Sequence, residues 1–146
     1  VIPFFLKQIK TEKYLTVTDK KMTRFNISLQ ESVNFVMSCL HRMKGGEIFV
    51  PKIPSYRIMD VLKAIDQNPK YKFIGIRAGE KLHEELITES DSLNTQEFKD
   101  YYVIHPSYRK STKKNLKPFS YNSSNNKYFL KVDDIRKLIK SNIKDF

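Results

Sequence analysis

Short runs of β-branched and aromatic residues alternate along this chain with segments of helical periodicity, and this alternation restricts the possible folds. Residues 14–19 (YLTVTD), 71–76 (YKFIGI) and 101–105 (YYVIH) have the composition of strands. Apolar residues at helical spacing occur between them. Short strands between helices favour an α/β fold. We therefore predict an α/β domain in which helices accompany one small mixed sheet.

The most strongly marked helix begins at Ser28. Glu31 follows three residues later, and this pair forms the capping-box pattern that satisfies unpaired N–H groups at a helix start. Apolar residues then recur at helical spacing and predict a buried stripe: Leu29, Val33, Val36, Met37 and Leu40. Cys39 lies on or beside this stripe, which indicates a packing role rather than a nucleophile.

Four further helices follow from weaker signals. Residues 1–10 (VIPFFLKQIK) have helical spacing, and Pro3 suits a first turn. Ser55 is expected to cap a helix after the proline-rich strand at 47–54, and EKLHEEL is expected to open a short helix at residue 80. Apolar spacing predicts a closing helix with Ile135, Leu138, Ile139 and Ile143.

The positive charge of this 146-residue chain, formally +11, is unevenly distributed. Residues 1–98 carry 15 Lys/Arg against 12 Asp/Glu, whereas residues 99–146 carry 12 against 4. Much of the excess lies in YRKSTKKNLKPF, residues 108–119. A basic stretch with aromatic residues is compatible with nucleic-acid binding. A solvated connection is the commoner cause, and we do not expect nucleic acid as the partner.

The pattern divides the chain into three parts. Residues 1–106 contain the alternating strands and helices, residues 107–127 form a basic loop, and residues 128–146 add a helical segment to the same domain. The chain opens at Val1 inside a helix, which suggests a piece of a longer protein. It has one cysteine and no apolar run of the roughly 20 residues that a membrane helix needs.

Several catalytic and cofactor motifs are missing from the sequence. The four glycines do not form the G-x-G-x-x-G pattern of dinucleotide binding, and the three histidines lack a zinc-ligand spacing. Short-chain dehydrogenases place lysine four residues after a tyrosine, where the ammonium lowers the phenol pKa for proton transfer. None of the eight tyrosines has that neighbour. We therefore expect no proton-transfer centre in this chain.

Two arginines stand in contexts that suit phosphate binding. Arg24 lies in an apolar stretch, MTRF, and Arg77 lies between Gly75 and Gly79 just before the predicted helix at Glu80. Guanidinium groups bind phosphates through paired, charge-assisted hydrogen bonds, and a helix N-terminus adds free N–H groups. The two arginines would hold a diphosphate if the fold brings them together. Ordinary surface ion pairs explain the same residues equally well.

Several blocks together resemble a known enzyme family. They are VIPFF, VTDKKMTRF, GGEIFVPKIPS, IGIRAGEKLHEEL and YNSSNN, in that order. The sequence is similar to the C-terminal part of UDP-N-acetylglucosamine 4,6-dehydratases. The soluble, C5-inverting type of pseudaminic acid biosynthesis is the best match. These enzymes are extended short-chain dehydrogenase/reductases.

This resemblance implies the substrate-binding lobe of a bacterial, cytoplasmic enzyme of surface-glycan synthesis. The Rossmann domain with bound NADP and the Tyr-x-x-x-Lys pair would precede it, so this chain alone is expected to be inactive. The family oxidises the sugar at C4, eliminates water across C5 and C6, and returns the hydride to C6. The complete enzyme is expected to be a homo-oligomer that acts on UDP-N-acetylglucosamine.

The resemblance also assigns residues. Arg24 and Arg77 match the two arginines that bind the pyrophosphate, and Glu80 matches an acidic position that accepts hydrogen bonds from the ribose. The segment with Ile2, Pro3 and Phe5 matches the one that receives the uracil. Lys81, His83 and Glu84 belong to the motif without an assigned role. Two alternatives remain: a related nucleotide-sugar epimerase or dehydratase, and a non-catalytic nucleotide- or nucleic-acid-binding module.

Overall fold

A computed structural model describes residues 1–108 and 117–143. The helices in these ranges are α1 (Ile2–Thr11), α2 (Leu29–Leu40), α3 (Ile58–Ile65), α4 (Glu89–Ser92) and α5 (Val132–Asn142). The strands are β1 (Leu15–Val17), β2 (Thr23–Phe25), β3 (Ile48–Pro51), β4 (Ser55–Arg57), β5 (Tyr71–Phe73), β6 (Glu85–Ile87), β7 (Thr95–Glu97), β8 (Tyr101–Ile104) and β9 (Tyr121–Asn122).

The strands form several small sheets, and the prediction of one mixed sheet is therefore wrong, although the α/β class is confirmed. β1 pairs with β5 in parallel, whereas β2 with β4, and β6 with β9, are antiparallel. The third arrangement is an antiparallel sheet in the order β3-β8-β7. Prolines contribute to the division, because Pro51 ends β3 and Pro54 precedes β4, and proline cannot donate to a strand ladder.

Two apolar clusters hold these elements together. The main core joins α1, β1, α3 and α5, and its buried members are Phe5, Leu15, Val17, Met22, Tyr56, Ile58, Val61, Leu62, Ala64, Leu130, Ile135 and Ile139. A smaller cluster of Val50, Ile87 and Tyr121 joins β3, β6 and β9. β2 contacts both clusters, because Met22, directly before this strand, belongs to the main core and Phe25 packs against the smaller cluster.

Three local predictions differ from the structure. Ser55 does not cap a helix: it begins β4, and its backbone bonds to Tyr128 and Leu130. The strand predicted over 71–76 is limited to β5. The helix predicted to open at Glu80 is absent, and the chain runs through a turn at 78–79 and a bend at 82–83 into β6. Its backbone groups bond to β2 and to the segment after β9 instead of to each other.

Helix α2 has the predicted capping box, in which the Ser28 hydroxyl accepts from the Glu31 N–H and the Glu31 carboxylate accepts from the Ser28 N–H. Its apolar stripe, however, is not buried. The stripe residues are 47 to 82% exposed: Leu29, Val33, Val36, Met37 and Leu40. This is an apolar helix face without a covering element among the described residues.

The predicted loop over 107–127 contains a short strand. It includes β9, and the buried Tyr121 and Ser123 anchor it to the rest of the chain. Most of the basic stretch at 108–119 lies outside the described residues. In the part of the chain that the structure describes, no helix is both long and apolar enough to cross a membrane.

Candidate functional site

Arg24 projects from β2 and is held at three points. Its Nη1 donates to the carbonyl of Thr23 at 2.7 Å and to that of Leu82 at 3.2 Å. Its Nε lies 3.3 Å from Oε1 of Glu84, and its side chain is 16% exposed. Among the described residues, Nη2 has no partner and keeps its two N–H donors. The guanidinium is therefore oriented, yet still able to bind an anion.

Arg77 lies on an exposed turn between two glycines. Gly75 and Gly79 have φ values of 79° and 83°, a left-handed conformation that glycine adopts readily. Glu80 closes this turn, because its Oε2 accepts from the Arg77 N–H at 3.0 Å and its own N–H donates to the Arg77 carbonyl. Since no helix follows, the expected contribution of a helix N-terminus to anion binding is missing.

The turn that carries Arg77 continues into residues 80–84, and this segment lies beside β2. Thr23 N–H donates to the Leu82 carbonyl at 3.1 Å, beside the bond from Arg24. On the other side, the Thr18 hydroxyl lies 3.5 Å from Oε1 of Glu80. Both arginines thus border the segment that runs from residue 77 to residue 84. The structure records no direct contact between their side chains within the described ranges.

A buried hydroxyl pair lies directly behind Arg24. The Thr23 and Ser123 hydroxyl oxygens are 2.7 Å apart, and the Thr23 oxygen is also 2.8 Å from Nδ1 of His83. The Glu84 N–H donates to Ser123 Oγ at 2.9 Å. Sequence reasoning gave none of these residues a role at the site. The available signals were the YNSSNN block, which contains Ser123, and the RAGEKLHE block, which contains His83 and Glu84.

Tyr56 faces the same region from β4, where it pairs with Arg24 in the strand register. Burial raises the pKa of the Tyr56 hydroxyl, the positive charge of Arg24 opposes that increase, and the negative charge of Glu84 adds to it. Tyr56 also lines an apolar cavity of about 320 Å³ together with Ile2. The cavity therefore adjoins the strand that carries Arg24.

The residues matched to uracil binding differ in exposure. Pro3 is exposed, Ile2 is partly buried beside the cavity, and Phe5 is only 4% exposed within the main core. The Phe5 side chain therefore packs inside the domain, and ligand contact through side chains is left to Ile2 and Pro3. Contact of this segment with uracil stays a prediction.

The remaining candidate groups are metal-ligand side chains and the Cys39 thiol. Among residues 1–108 and 117–143, no group of three potential ligand side chains is placed to hold a metal ion. Partial burial raises the pKa of the Cys39 thiol, with Arg42 acting in the opposite direction. A raised thiol pKa reduces the thiolate fraction at neutral pH, which disfavours Cys39 as a nucleophile.

Two known proteins whose sequences are similar to this chain are each named UDP-N-acetylglucosamine 4,6-dehydratase (inverting). The one from Campylobacter jejuni serotype O:2 is 45% identical over 95% of this chain and 46% of its own length. The one from serotype O:23/36 is 54% identical over 75% of this chain and 33% of its own length. The predicted resemblance is confirmed, and this chain spans about half the length of these curated relatives or less.

Other relatives have different names. An uncharacterized membrane protein of Methanocaldococcus jannaschii is 40% identical over 96% of this chain and 44% of its own length. A UDP-glucose 4-epimerase of Rickettsia canadensis is 42% identical over 71% of this chain and 32% of its own length. These names show that one sequence family includes proteins with different assigned activities.

A solved structure agrees with the fold. The X-ray structure of Pen from Bacillus thuringiensis superposes with a TM-score of 0.82 at 32% identity, over 98% of this chain and 44% of that one. The sequence model of the family described as polysaccharide biosynthesis protein matches residues 1–106. This range contains both arginines, Glu80 and the α1 segment. The chain therefore belongs to the polysaccharide biosynthesis protein family.

Proposed function

We propose that this chain is the nucleotide-sugar-binding part of a UDP-N-acetylglucosamine 4,6-dehydratase of the inverting type. The observation that carries the proposal is the state of Arg24: three contacts hold its guanidinium, while Nη2 has no partner among the described residues. A preoriented guanidinium loses little freedom when it binds an anion. The names and identities of the two Campylobacter relatives supply the substrate class.

The diphosphate would lie between Arg24 and the turn that carries Arg77. Arg24 contributes a fixed donor pair, and Arg77 contributes an exposed charge on a turn stabilised by Glu80. Glu80 Oε1 has a single 3.5 Å contact, with Thr18. That oxygen is therefore available to accept a hydrogen bond from a ribose hydroxyl, as the resemblance implies. The uracil would then lie towards Ile2 and Pro3.

The rest of the enzyme would cover the apolar face of α2. Its exposed stripe is too apolar to be ordinary surface for a helix, and unpartnered apolar patches mark interaction sites. Because the relatives are about twice as long as this chain, we assign the face to the remaining part of the same polypeptide, the predicted Rossmann domain. Homo-oligomer formation and a cytoplasmic location belong to the same proposal.

NADP is assigned to that other part. The glycines of this chain lie at positions 45, 46, 75 and 79 and do not form the dinucleotide fingerprint. The residues present therefore do not fit the cofactor. We accordingly expect the chain alone, supplied with NADP and UDP-N-acetylglucosamine, to show no turnover.

Titration of the full-length polypeptide with UDP tests the binding proposal. Arg24→Ala and Arg77→Ala should each weaken binding by about 2–4 kcal/mol, the range for loss of a charged hydrogen-bonding partner. Arg77, which is more exposed, should fall at the lower end. Arg42→Ala is the matched control, because it removes the same charge from the chain after α2. Equal UDP affinity in all three variants would refute the assignment.

Product mass separates the dehydratase from the epimerase alternative, which the Rickettsia relative favours. A 4,6-dehydratase converts UDP-N-acetylglucosamine to a 4-keto-6-deoxy sugar that has lost one water molecule. An epimerase leaves the mass unchanged. Mass spectrometry after incubation with the full-length polypeptide should show the loss of water. An isomer of unchanged mass would instead support the epimerase.

A further inference from the structure

Thr23 and Ser123 are a hundred positions apart in the chain, yet their hydroxyl groups meet inside the protein. Thr23 is 5% exposed and Ser123 is fully buried. A hydroxyl that is removed from water must keep its hydrogen bonds, since an unsatisfied buried group is costly. The pair therefore joins β2 firmly to the segment after β9. Neither residue has a role in the binding proposal above.

Ser123 also fixes the backbone of Glu84 from both sides. Its hydroxyl oxygen accepts from the Glu84 N–H at 2.9 Å, and its own N–H donates to the Glu84 carbonyl at 2.7 Å. Thr23 makes the corresponding backbone bond to the Leu82 carbonyl. Residues 82 to 84 are thereby held between two segments that are distant in sequence.

Those residues are the ones that orient Arg24. The Leu82 carbonyl accepts from Nη1, and the Glu84 carboxylate pairs with Nε. A shift of residues 82 to 84 would move both contacts together and would change the direction of Nη2. The orientation of the guanidinium thus depends on the hydroxyl pair, although neither hydroxyl touches Arg24.

The bonds also define a direction for the protons. Ser123 Oγ accepts from Glu84, so its own hydrogen is satisfied when it donates to Thr23, and Thr23 then donates to Nδ1 of His83. The reverse direction leaves the buried Ser123 proton without an acceptor among the described residues. Nδ1 of His83 thus accepts from Thr23 and ends the chain of bonds.

We propose that Thr23 and Ser123 are positioning residues that present Nη2 of Arg24 to the diphosphate of a nucleotide. The proposal rests on the binding function proposed above and adds the structural element that prepares the arginine for its ligand. The two hydroxyl groups do not contact the ligand themselves. Their effect must therefore pass through Arg24, which makes it measurable.

The test uses the full-length polypeptide and two ligands, UDP and uridine, which differ in the diphosphate. Ser123→Ala should raise the Kd for UDP about tenfold and leave the Kd for uridine unchanged. Ser124→Ala is the matched control, because the exposed Ser124 bonds, within the described part of the chain, to Asn122 alone. Thr23→Ser, which keeps the hydroxyl, should retain the UDP affinity of the parent.

A double variant shows whether the effect passes through Arg24. In an Arg24→Ala background, Ser123→Ala should cause no further loss of UDP affinity. The proposal would be overturned if Ser123→Ala lowered UDP affinity equally with and without Arg24. It would also be overturned if this variant lowered the affinities for UDP and uridine equally. If Ser123→Ala does not fold, Thr23→Val removes the hydroxyl bridge while the Ser123–Glu84 bonds remain. It should therefore raise the Kd for UDP less than Ser123→Ala, again only when Arg24 is present and without an effect on uridine.

The two proposals fail in different ways. A parent protein that does not bind UDP would refute the binding function itself. A parent that binds UDP, and loses affinity in Arg24→Ala but not in Ser123→Ala or Thr23→Val, would refute the positioning role alone.

Discussion

Arg24 Nε lies 3.3 Å from Glu84 Oε1, although the two side chains differ in exposure, at 16% and 44%. An ion pair with an exposed carboxylate contributes little to stability. Its consequence here is local: Glu84 orients the guanidinium, but its negative charge lies beside the proposed diphosphate site. These two effects are separable, because a neutral acceptor can orient Arg24 as well.

Glu84→Gln should therefore strengthen UDP binding. The amide oxygen can take the position of Oε1 beside Nε, while the repulsion between carboxylate and diphosphate is removed. Charges about 6 Å apart near water interact by roughly 0.7 kcal/mol, which corresponds to about threefold in Kd. Titrations at low and high salt provide the measurement, and the gain should shrink at high salt.

The comparison for this prediction is Glu85→Gln, which removes the same charge from β6. It should change UDP affinity less than Glu84→Gln does. Weaker UDP binding in Glu84→Gln would mean that the full charge is needed to hold Arg24, and the separation of the two effects would then be wrong.

Because the apolar face of α2 is exposed in this chain, truncating a residue on that face should change the free energy of unfolding less in the chain alone than in the full-length polypeptide. Leu40 is 55% exposed in this chain, so Leu40→Ala should change its free energy of unfolding by less than about 0.5 kcal/mol. Leu62 in α3 is fully buried, and Leu62→Ala should cost about 2–5 kcal/mol. Urea denaturation of the two variants measures this difference.

In the full-length polypeptide, Leu40→Ala should become destabilising by more than 1 kcal/mol, a typical cost for truncating a side chain packed in an interface. Gln30→Ala is the control, since Gln30 is an exposed polar residue of the same helix whose side chain, among residues 1–108 and 117–143, bonds to Asn34 alone. If Leu40→Ala stays neutral in the longer protein, α2 is not covered by the remaining part of the chain.

Local signals predicted the elements whose hydrogen bonds are local. The Ser28–Glu31 capping box, Pro3 at the start of α1 and the apolar spacing of α5 each depend on neighbours within one or two turns. Their positions could therefore be derived from the sequence. Local context singled out Arg24 and Arg77, and the family resemblance added Glu80; these are exposed or partly exposed polar residues without a periodic pattern.

The stretch after Glu80 shows why other predictions failed. EKLHEEL has helical composition, but the carbonyls of Leu82 and Glu84 accept from Thr23 and Ser123. These partners are distant in sequence, and such tertiary bonds override a weak helix propensity. Ser55 is similar, because Asn126 donates to its hydroxyl in place of a helix N–H. The hydroxyl network depends on the same long-range pairing and could not be predicted locally.

The capping box of α2 predicts a pH dependence of stability. Hydrogen bonds from the side chain and the backbone N–H of Ser28 lower the pKa of Glu31. A carboxyl group with a lowered pKa in the folded state stabilises the fold above its unfolded pKa, and this contribution is lost as the pH falls through the folded pKa. The parent should therefore lose stability on acidification below about pH 4.3, the ordinary pKa of glutamate.

Glu31→Gln isolates this contribution, because glutamine can complete a capping box without titrating. The free energy of unfolding of this variant, measured from pH 3 to pH 7, should fall less steeply below pH 4.3 than that of the parent. Ser28→Ala should cost about 1 kcal/mol at neutral pH, the usual value of an N-cap. Ser28→Ala should also make the pH dependence of the free energy of unfolding the same for glutamate and glutamine at position 31, since the bonds that lower the Glu31 pKa come from Ser28. Parallel pH curves for the parent and Glu31→Gln would show instead that the box does not form in solution.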